Sequence, residues 1–582
     1  MADTPRKRGS MIATDDVSRH FLATLAQWTG GLSPQALGGA WLNVLARLAT
    51  APGRQAELAR SALAKTLALA QFSGAALQGE APQAAGTPYA HRFADPAWAK
   101  FPFNLMAQSF LSVSDWAREA VKNVPGADPA AENIVGFTVR EGLELVAPDN
   151  YLPTNPQLIR QTVDENGRNL ARGLKHLAED IARTYKGLGP VGVENYQVGK
   201  QVAATPGKVI LRNRLMELIQ YSPQTDKVHA EPILVVPAWI MKYYILDLSP
   251  RNSLVNYLTG LGHTVFMVSW KNPTAEDRNV SMDDYLTLGV RAALDAVTTV
   301  VPKRKVHAVG YCIGGTLLSI AAAELAAQDD DRLASVSLFA AQTDFSEPGE
   351  LSIFISPAQL AMLEAMMWKE GVLESRQMGG AFQLLRTYDL LWAPTIATYL
   401  KGERSGVNDL MAWNADGTRM AYRMHTDYLH QLYLNNDLAE GRYVANGEPL
   451  SLSDVTVPMF VVGTETDHVA PWRSVYKVGK LVGSADYTFC LTSGGHNAGI
   501  ISGPQHPKRR HRVHASKAGA RLLSPDRYLE KVEPAPGSWW PTWAKWLEEH
   551  SSSRKVAPPA MGAPKQGLKP LGAAPGEYVL AK

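Results

Sequence analysis

The chain has 582 residues, more than one compact core usually holds, so two or three domains are expected. Apolar residues make up 46% and charged residues 19%, which excludes a disordered chain, and the net charge of +3 gives no reason to expect a nucleic-acid partner. Two cysteines, Cys312 and Cys490, cannot build a disulfide framework and favour a reducing, cytoplasmic compartment.

The first third of the chain is predicted to be helical. Residues 15–75 place apolar side chains at helical spacing, and residues 96–188 do so again until three prolines interrupt them between 147 and 156. We therefore predict a helical N-terminal domain over residues 1–194. The N-terminus has basic residues but no apolar segment behind them, so we expect no signal peptide, and no run of about 18 apolar residues predicts a transmembrane helix.

From residue 195 onward, short apolar runs alternate with longer helical segments. This alternation predicts a mostly parallel sheet with helices on both faces. The predicted strands are Ile233–Val236, Thr264–Val268, Val306–Val309, Ser335–Phe339, Met459–Val462 and Tyr487–Leu491. We assign residues 195–582 to this second domain, with a segment of about 341–455 that is either a helical cap over the active site or an ordinary helical subdomain. The tail from Ser551, rich in Pro, Ala and Gly, is expected to lie extended over the surface or to be partly disordered.

A nucleophile motif lies in the segment VHAVGYCIGGTLLS, between a predicted strand and a predicted helix. Gly310-Tyr311-Cys312-Ile313-Gly314 matches G-x-S-x-G with sulfur in place of oxygen. In the α/β-hydrolase fold, this motif holds the nucleophile in a sharp turn that larger flanking residues would obstruct. We therefore predict an α/β-hydrolase fold with Cys312 as nucleophile, although a buried structural cysteine would fit the motif alone.

Two further residues complete a catalytic triad in the order this fold requires, nucleophile, acid and histidine. Asp467 follows the apolar run in MFVVGTETDHVAPW, and His496 lies in a glycine-rich loop after the next run, in YTFCLTSGGHNAGI. Taken alone, Asp467 could form a turn and His496 could be an ordinary loop histidine. Three suitable residue types in this order, each following a strand, favour catalysis.

An oxyanion hole and the absence of a metal site are also predicted. The amide of Ile313 should supply one hydrogen-bond donor and the loop after Ile233–Val236 the other, through Trp239 or Ala238. Cys490 reads as a small buried apolar residue. No histidines, cysteines and carboxylates occur at metal-ligand spacing, so we expect no metal site.

Several blocks resemble the polyhydroxyalkanoate synthases, most closely the single-subunit class I enzymes. They are ILVVPAWIMKYYILDLSPRNSLVNYLTGLGHTVFMVSWKNP, GYCIGGT, TETDHVAPWRSVYK, SGGHNAGI and GSWWPTWAKWL, with NYLPTNPQLIRQTVDENGRNLARGLKHLAED in the helical region. The resemblance runs from about residue 90 to the end. The sequence departs from the family in LFAAQTDF, LLRTYDLLWAP, AWNADGTRMAYRM and HNAGIISGP, which puts monomer preference and specific activity in doubt.

The resemblance implies an acyltransferase that polymerises (R)-3-hydroxyacyl-CoA, most simply 3-hydroxybutyryl-CoA, and releases CoA without a further cofactor. Cys312 would carry the acyl chain as a thioester and His496 would accept the thiol proton. Asp467 would activate the 3-hydroxyl of the incoming monomer, directly or through His496. The implied partners are the growing polyester and its granule surface, granule-coating proteins and a second copy of the chain.

Alternatives remain open at this stage. The N-terminal helices either bind the granule or its proteins, or simply pack as a domain. Arg509 and Arg510, in HPKRRHR, either attract CoA phosphates or belong to a solvated loop. The whole chain could instead be a cysteine hydrolase of thioesters or polyester, or a granule-binding relative with little catalysis.

Overall fold

The computed structural model describes residues 14–29, 31–78, 90–516 and 522–582. Contacts divide the chain into two compact units. One contains the sheet and comprises residues up to 33, 195–377 and 409–582. The other is helical and comprises residues 34–194 and 378–408. Within the described ranges, no helix is both long and apolar enough to cross a membrane.

The helical unit is built mainly from six α-helices of the N-terminal region. They are α2 (Pro34–Ala49), α3 (Pro52–Leu77), α4 (Phe103–Ala120), α5 (Pro129–Val146), α6 (Pro156–Asp164) and α7 (Arg168–Tyr185). Arg92 lies buried beside them and forms ion pairs of 2.8 Å with both Glu144 and Asp149. A buried cation needs such partners, so this cluster ties the segment before α4 to the end of α5.

The sheet unit carries most of the remaining helices, among them α1 (Thr14–Trp28). The others of this unit are α8 (Leu254–Gly260), α9 (Met282–Asp284), α10 (Ala292–Val300), α11 (Ile313–Ala327), α12 (Pro357–Glu370), α15 (Asp409–Asn414), α16 (Tyr422–Tyr428), α17 (Trp472–Tyr476), α18 (Val478–Leu481), α19 (Pro525–Lys531) and α20 (Trp540–Glu549). Helix α13 (Ser375–Leu385) begins in the sheet unit and ends in the helical unit, which also contains α14 (Ala393–Thr395).

Eleven strands form one mixed sheet, in the order β14-β13-β12-β11-β6-β5-β3-β4-β2-β1-β15. Its members are β1 (Gly207–Arg212), β2 (Met216–Tyr221), β3 (Ile233–Val236), β4 (Val265–Trp270), β5 (Val306–Tyr311), β6 (Leu333–Phe339), β11 (Met459–Thr464), β12 (Tyr487–Thr492), β13 (Arg510–Ser516), β14 (Ala535–Pro536) and β15 (Gly572–Ala573). Two short hairpin-like pairs lie outside it, β7 (Val372–Leu373) with β8 (Met420–Ala421) and β9 (Val444–Ala445) with β10 (Glu448–Pro449).

The six central strands, β12 to β4 in that order, are parallel and coincide with the six predicted strands. The antiparallel strands on either side were not predicted. Because parallel strands end at the same edge of a sheet, the residues after β3, β5, β11 and β12 can converge there. The parallel centre therefore decides where the predicted triad residues can meet.

Two segments lie in a different unit from the one that the predicted division at residue 194 assigns to them. Helix α1 belongs with the sheet unit because it packs along α12. Residues 378–408 belong with the helical unit because their backbone carbonyls accept hydrogen bonds from α7: Asn169 donates to Leu400, and Arg172 donates to Gly402. The segment of about 341–455 is helical as predicted, but it is divided between the units.

Candidate active site

Cys312 lies in a sharp turn between β5 and α11 with a φ of +54° and a ψ of −130°. A Cβ on Gly310 would lie 2.4 Å from the Cα of Gly315, and a Cβ on Gly314 would lie 2.4 Å from the carbonyl oxygens of Val236 and Pro237. No side chain fits in such space. The glycines therefore allow strand and helix to approach, and the backbone N–H of Cys312, bonded to the Phe339 carbonyl at 2.9 Å, fixes the turn.

The two predicted oxyanion donors belong to segments that lie side by side. Ile313 is the first residue of α11, and the amides of a first helical turn have no intrahelical acceptor. The contact of Gly314 with Pro237 places this turn against the loop that carries Ala238 and Trp239. Two N–H groups at such a junction are suited to stabilising a negative oxygen. That Ile313 and Trp239 supply the oxyanion hole stays a prediction.

Side chains from three other segments hold Trp239 firmly in that loop. Its carbonyl accepts a hydrogen bond from Thr418 at 2.5 Å, and its indole N–H donates to the Sδ of Met424 at 3.3 Å. Its ring centroid lies 4.4 Å from that of Tyr285. The backbone beside Cys312 is thus fixed by contacts with α16 and its neighbours.

His496 and Asp467 form a buried pair next to Cys312. His496 Nδ1 lies 2.8 Å from Asp467 Oδ2, which also accepts from Thr464 at 3.0 Å. Asp467 Oδ1 accepts the backbone N–H groups of Val469 and Ala470 at 2.9 and 2.8 Å. Because Asp467 occupies Nδ1, the other ring nitrogen of His496 is the one available to the nearby Cys312 side chain. The structure brings all three predicted residues together.

Charge stabilises the protonated imidazole in this site. Burial opposes a charge on His496, but Asp467 and Cys312 outweigh it and hold the pKa of the imidazole well above its ordinary value. Burial would likewise raise the pKa of Asp467, yet His496 and the two backbone N–H groups lower it below the usual range. A charged imidazolium between a carboxylate and a sulfur is the arrangement that favours a thiolate nucleophile.

Three side chains fix the loop that carries His496. The half-buried Arg509 donates to the carbonyls of Ser493 and Ala498 at 3.3 and 2.7 Å. The indoles of Trp539 and Trp540 donate to the carbonyls of Gly499 and Ile500 at 3.0 and 2.9 Å. No local pattern signals these contacts, in which the tryptophans belong to a buried segment.

The basic segment is a strand in part, which corrects its interpretation as a solvated loop. Arg510 begins β13, which pairs antiparallel with β12 on one side and with β14 on the other. The exposed Arg510 forms an ion pair of 2.7 Å with Glu465. A role of Arg509 and Arg510 in binding CoA stays a prediction, but both guanidinium groups already have partners within the chain.

Two tyrosines of the segment 341–455 lie near Cys312, and sequence reasoning did not single them out. Burial raises the pKa values of the Tyr428 and Tyr433 hydroxyls, and the nearby charge of Cys312 raises them further. The ring of Phe345 lies 4.7 Å from that of Tyr433. These side chains form an aromatic cluster near the half-buried Cys312. Their only sequence signal is the aromatic spacing in YLHQLYL, which is equally typical of a helix core.

The C-terminal tail also reaches this region. Buried Lys242, in the segment after Trp239, donates to the carbonyls of Val579 at 2.9 Å and Ala581 at 2.5 Å. Arg419 donates to the carbonyl of Lys582. The tail is therefore extended and ordered along the sheet unit, and it supports the predicted oxyanion loop.

The parallel sheet, the turn at Cys312 and the Asp–His pair after β11 and β12 define an α/β-hydrolase-fold protein. A model of the alpha/beta hydrolase fold matches residues 231–501. A model described as the poly-beta-hydroxybutyrate polymerase (PhaC) N-terminus matches residues 89–258, and one described as the poly-beta-hydroxybutyrate polymerase N terminal matches residues 13–54.

Curated relatives narrow the class further. The chain is 40% identical to a poly(3-hydroxyalkanoate) polymerase of Methylorubrum extorquens, over 85% of this chain and 81% of that one. It is 33% identical to the polymerase subunit PhaC of Cupriavidus necator, over 93% of this chain and 91% of that one. The chain belongs to the poly(3-hydroxyalkanoate) polymerase family.

Proposed function

We propose that the protein polymerises (R)-3-hydroxyacyl-CoA into polyester and releases CoA, with Cys312 as the residue that carries the chain. The observation that supports this role is the position of Cys312, in its strained turn, beside the hydrogen-bonded pair of His496 and Asp467 within a chain of the polymerase family. It supplies a nucleophile, a base and an orienting carboxylate in one place.

The first step transfers the acyl group to the enzyme. His496 accepts the thiol proton, and the Cys312 sulfur attacks the thioester carbonyl. The C–S bond to CoA breaks, and the proton passes from His496 to the CoA sulfur. The amides of Ile313 and Trp239 stabilise the negative oxygen of the tetrahedral intermediate. One thioester replaces another, so the step is close to balanced in free energy and the acyl group stays activated.

The second step lengthens the chain. His496 accepts the proton from the 3-hydroxyl of one acyl unit, and the oxygen attacks the thioester carbonyl of another. An ester forms, the C–S bond of that thioester breaks, and the proton passes from His496 to the departing sulfur. Both carboxylate oxygens of Asp467 are occupied, one by His496 and Thr464 and the other by two backbone amides, and its side chain is fully buried. This geometry favours activation of the hydroxyl through His496 over direct contact with Asp467.

The aromatic cluster of Phe345, Tyr428 and Tyr433 offers an acyl chain an apolar surface near the half-buried Cys312. We extend the proposal to a cytoplasmic enzyme on the surface of its polyester granule, acting as a homodimer and accompanied by granule-coating proteins, with no cofactor beyond the CoA of its substrate.

The test is a CoA-release assay with (R)-3-hydroxybutyryl-CoA and parallel analysis of the acyl product. Wild-type protein should release CoA and form insoluble polyester, and Cys312→Ala should do neither. Cys490→Ala is the matched control, because Cys490 is fully buried in β12, away from the turn at Cys312, and its loss should leave turnover in place. CoA release with only free 3-hydroxybutyrate would identify a hydrolase. Absence of release with short and long acyl chains would favour a granule-binding relative.

A further inference from the structure

Tyr311, the residue before the nucleophile, lies against the catalytic histidine. It ends β5, and its side chain is almost fully buried. Its ring centroid lies 5.6 Å from that of His496, and the two ring planes are inclined by 33°. A ring packed at this distance restricts how far the imidazole can tilt toward or away from Cys312. The strand end that leads into the nucleophile therefore also supports the base.

The hydroxyl of Tyr311 is bonded to the residue that follows His496. It donates a hydrogen bond to Oδ1 of Asn497 at 2.6 Å. Burial raises the pKa of this hydroxyl well above its usual value, and the charges of Cys312 and Asp467 raise it further. The hydroxyl therefore stays protonated near neutral pH and remains a donor. The bond joins two segments that lie 186 residues apart in the chain.

Asn497 is itself fixed at the start of the turn that follows His496. Its backbone carbonyl accepts the N–H groups of Ile500 and Ile501 at 3.1 and 2.9 Å. The carbonyl of Ile500 accepts the indole N–H of Trp540 at 2.9 Å. The histidine loop is thus bonded within itself and to α20, and the Tyr311 hydroxyl gives it a direct link to the end of β5.

We propose that Tyr311 and Asn497 are positioning residues, which set the distance and angle between the imidazole of His496 and the sulfur of Cys312. The inference rests on the proposed function, because it concerns the same nucleophile and base. Asp467 orients the imidazole through Nδ1, but it belongs to the loop after β11 and not to the turn at Cys312. The bond from Tyr311 to Asn497 ties the histidine loop to that turn. Proton transfer depends steeply on the separation of donor and acceptor, so loss of the bond should lower kcat and leave KM in place.

A positioning bond and a merely structural bond respond differently when both partners are replaced. Removing one partner leaves a polar group unpaired, which lowers stability, whereas replacing both by apolar groups of similar shape leaves no group unpaired. Stability should then recover. The placement of the imidazole should not recover, because an apolar contact defines distance and angle less sharply than a hydrogen bond does.

The test compares Tyr311→Phe, Asn497→Leu and the double variant with wild type, using (R)-3-hydroxybutyryl-CoA. Asn497→Leu should lower both the melting temperature and kcat, because the Tyr311 hydroxyl loses its acceptor. The double variant should regain most of the melting temperature, while its kcat, like that of Tyr311→Phe, stays about tenfold or more below wild type. KM should stay within about twofold of wild type in all three.

Tyr528→Phe is the matched control. It removes another buried tyrosine hydroxyl, which donates to the backbone carbonyl of Arg512 at 2.8 Å and has no contact with the triad residues. This variant should lose melting temperature and keep the kcat of wild type.

A second readout needs no turnover. The rate at which iodoacetamide alkylates Cys312, followed by mass spectrometry of the peptide that contains it, reports how well His496 activates the sulfur. Near neutral pH this rate should fall severalfold in Tyr311→Phe and in the double variant, and it should equal that of wild type in Tyr528→Phe.

A kcat of the double variant that recovers together with its melting temperature would overturn the inference, because the pair would then be only structural. Unchanged alkylation in both variants that lack the Tyr311 hydroxyl, or an equal fall in kcat in Tyr528→Phe, would overturn it as well. If wild type releases no CoA from any thioester while alkylation still falls in those two variants, the proposed function fails and the positioning role stands.

Discussion

The turn at Cys312 and the loop at His496 hold their catalytic side chains by different means. The turn depends on contact between backbone atoms, because any Cβ at Gly310 or Gly314 would collide with neighbouring backbone. The loop depends on polar groups: Asp467 orients the imidazole, and Arg509 holds the backbone around it. The nucleophile is therefore placed by shape, and the base by hydrogen bonds and charge.

This difference implies different responses to change. Backbone contacts cannot yield, so a substitution in the turn should act through folding. Polar contacts respond to pH and to conservative replacement, so a substitution in the loop should act in graded steps on catalysis.

The largest effect is expected for Gly314→Ala. The new Cβ would lie 2.4 Å from two carbonyl oxygens, neither of which is the flexible end of a side chain. We expect a loss of roughly 3 kcal/mol or more in the free energy of unfolding, or no soluble folded protein. Thermal unfolding followed by circular dichroism measures this. Gly260→Ala is the control, since its Cβ would be 3.8 Å from the nearest atom, and equal melting temperatures for the two would refute the steric account.

Asp467→Asn should reduce turnover by roughly 10²- to 10⁴-fold while the fold persists. An amide at this position removes the carboxylate that orients His496 and stabilises its charge. CoA release measured at substrate saturation reports the loss. Turnover within threefold of wild type would show that the carboxylate is unnecessary for the base.

The same variant should alter the pH dependence of stability. The pKa of His496 is raised in the folded state. Its contribution to the free energy of unfolding is therefore complete below its unfolded pKa of about 6.5 and is lost as the pH rises through the raised value. The pKa of Asp467 is lowered in the folded state, so its contribution to the free energy of unfolding is lost only as the pH falls through that lowered value. The melting temperature of wild type should therefore exceed that of Asp467→Asn by more at about pH 6 than at about pH 10. A constant difference would contradict the coupling.

Arg509→Met should cost about 2 kcal/mol, because two buried carbonyl contacts of the His496 loop lose a charged donor. Denaturant unfolding measures the loss, and kcat should fall with it because the imidazole position becomes less defined. Arg509→Lys should recover part of both. A fall in kcat without any change in stability would instead point to direct contact with substrate.

The smallest effect is expected for Arg510→Gln. Its ion pair with Glu465 is exposed, and such pairs contribute about 0–1 kcal/mol. Melting temperature and KM for the CoA thioester should both stay close to wild type. A severalfold rise in KM would support the sequence-based prediction that this arginine binds CoA phosphates.

The parallel centre of the sheet and the order of the triad residues were predictable because each depends on local pattern. Apolar runs such as Ile233–Val236 and Met459–Val462 are buried on both faces, and the glycines around Cys312 are required by the turn itself. Strand β2 escaped prediction because it carries Glu217 and Gln220, both fully buried. Polar residues within a short run usually indicate a surface.

Arg212, five residues away, pairs with one oxygen of Glu217, but the other partners of these polar residues lie far along the chain. Glu217 accepts the backbone N–H groups of Glu577 and Tyr578, and Gln220 exchanges hydrogen bonds with Ala560 and Gly562. No local pattern encodes partners more than 300 residues away. For the same reason, the sequence did not reveal that Tyr428 and Tyr433 lie near Cys312.

The anchoring of the tail has a consequence for the timing of activity. Lys242 and its partner Val579 are separated by 337 residues, so the segment after Trp239 is secured only once that distant part of the chain has been synthesised and has packed against it. The contacts of the turn at Cys312 come from residues 236–339 and can form earlier. The nucleophile would therefore be in position before the neighbouring loop is, and activity would follow only when both are in place.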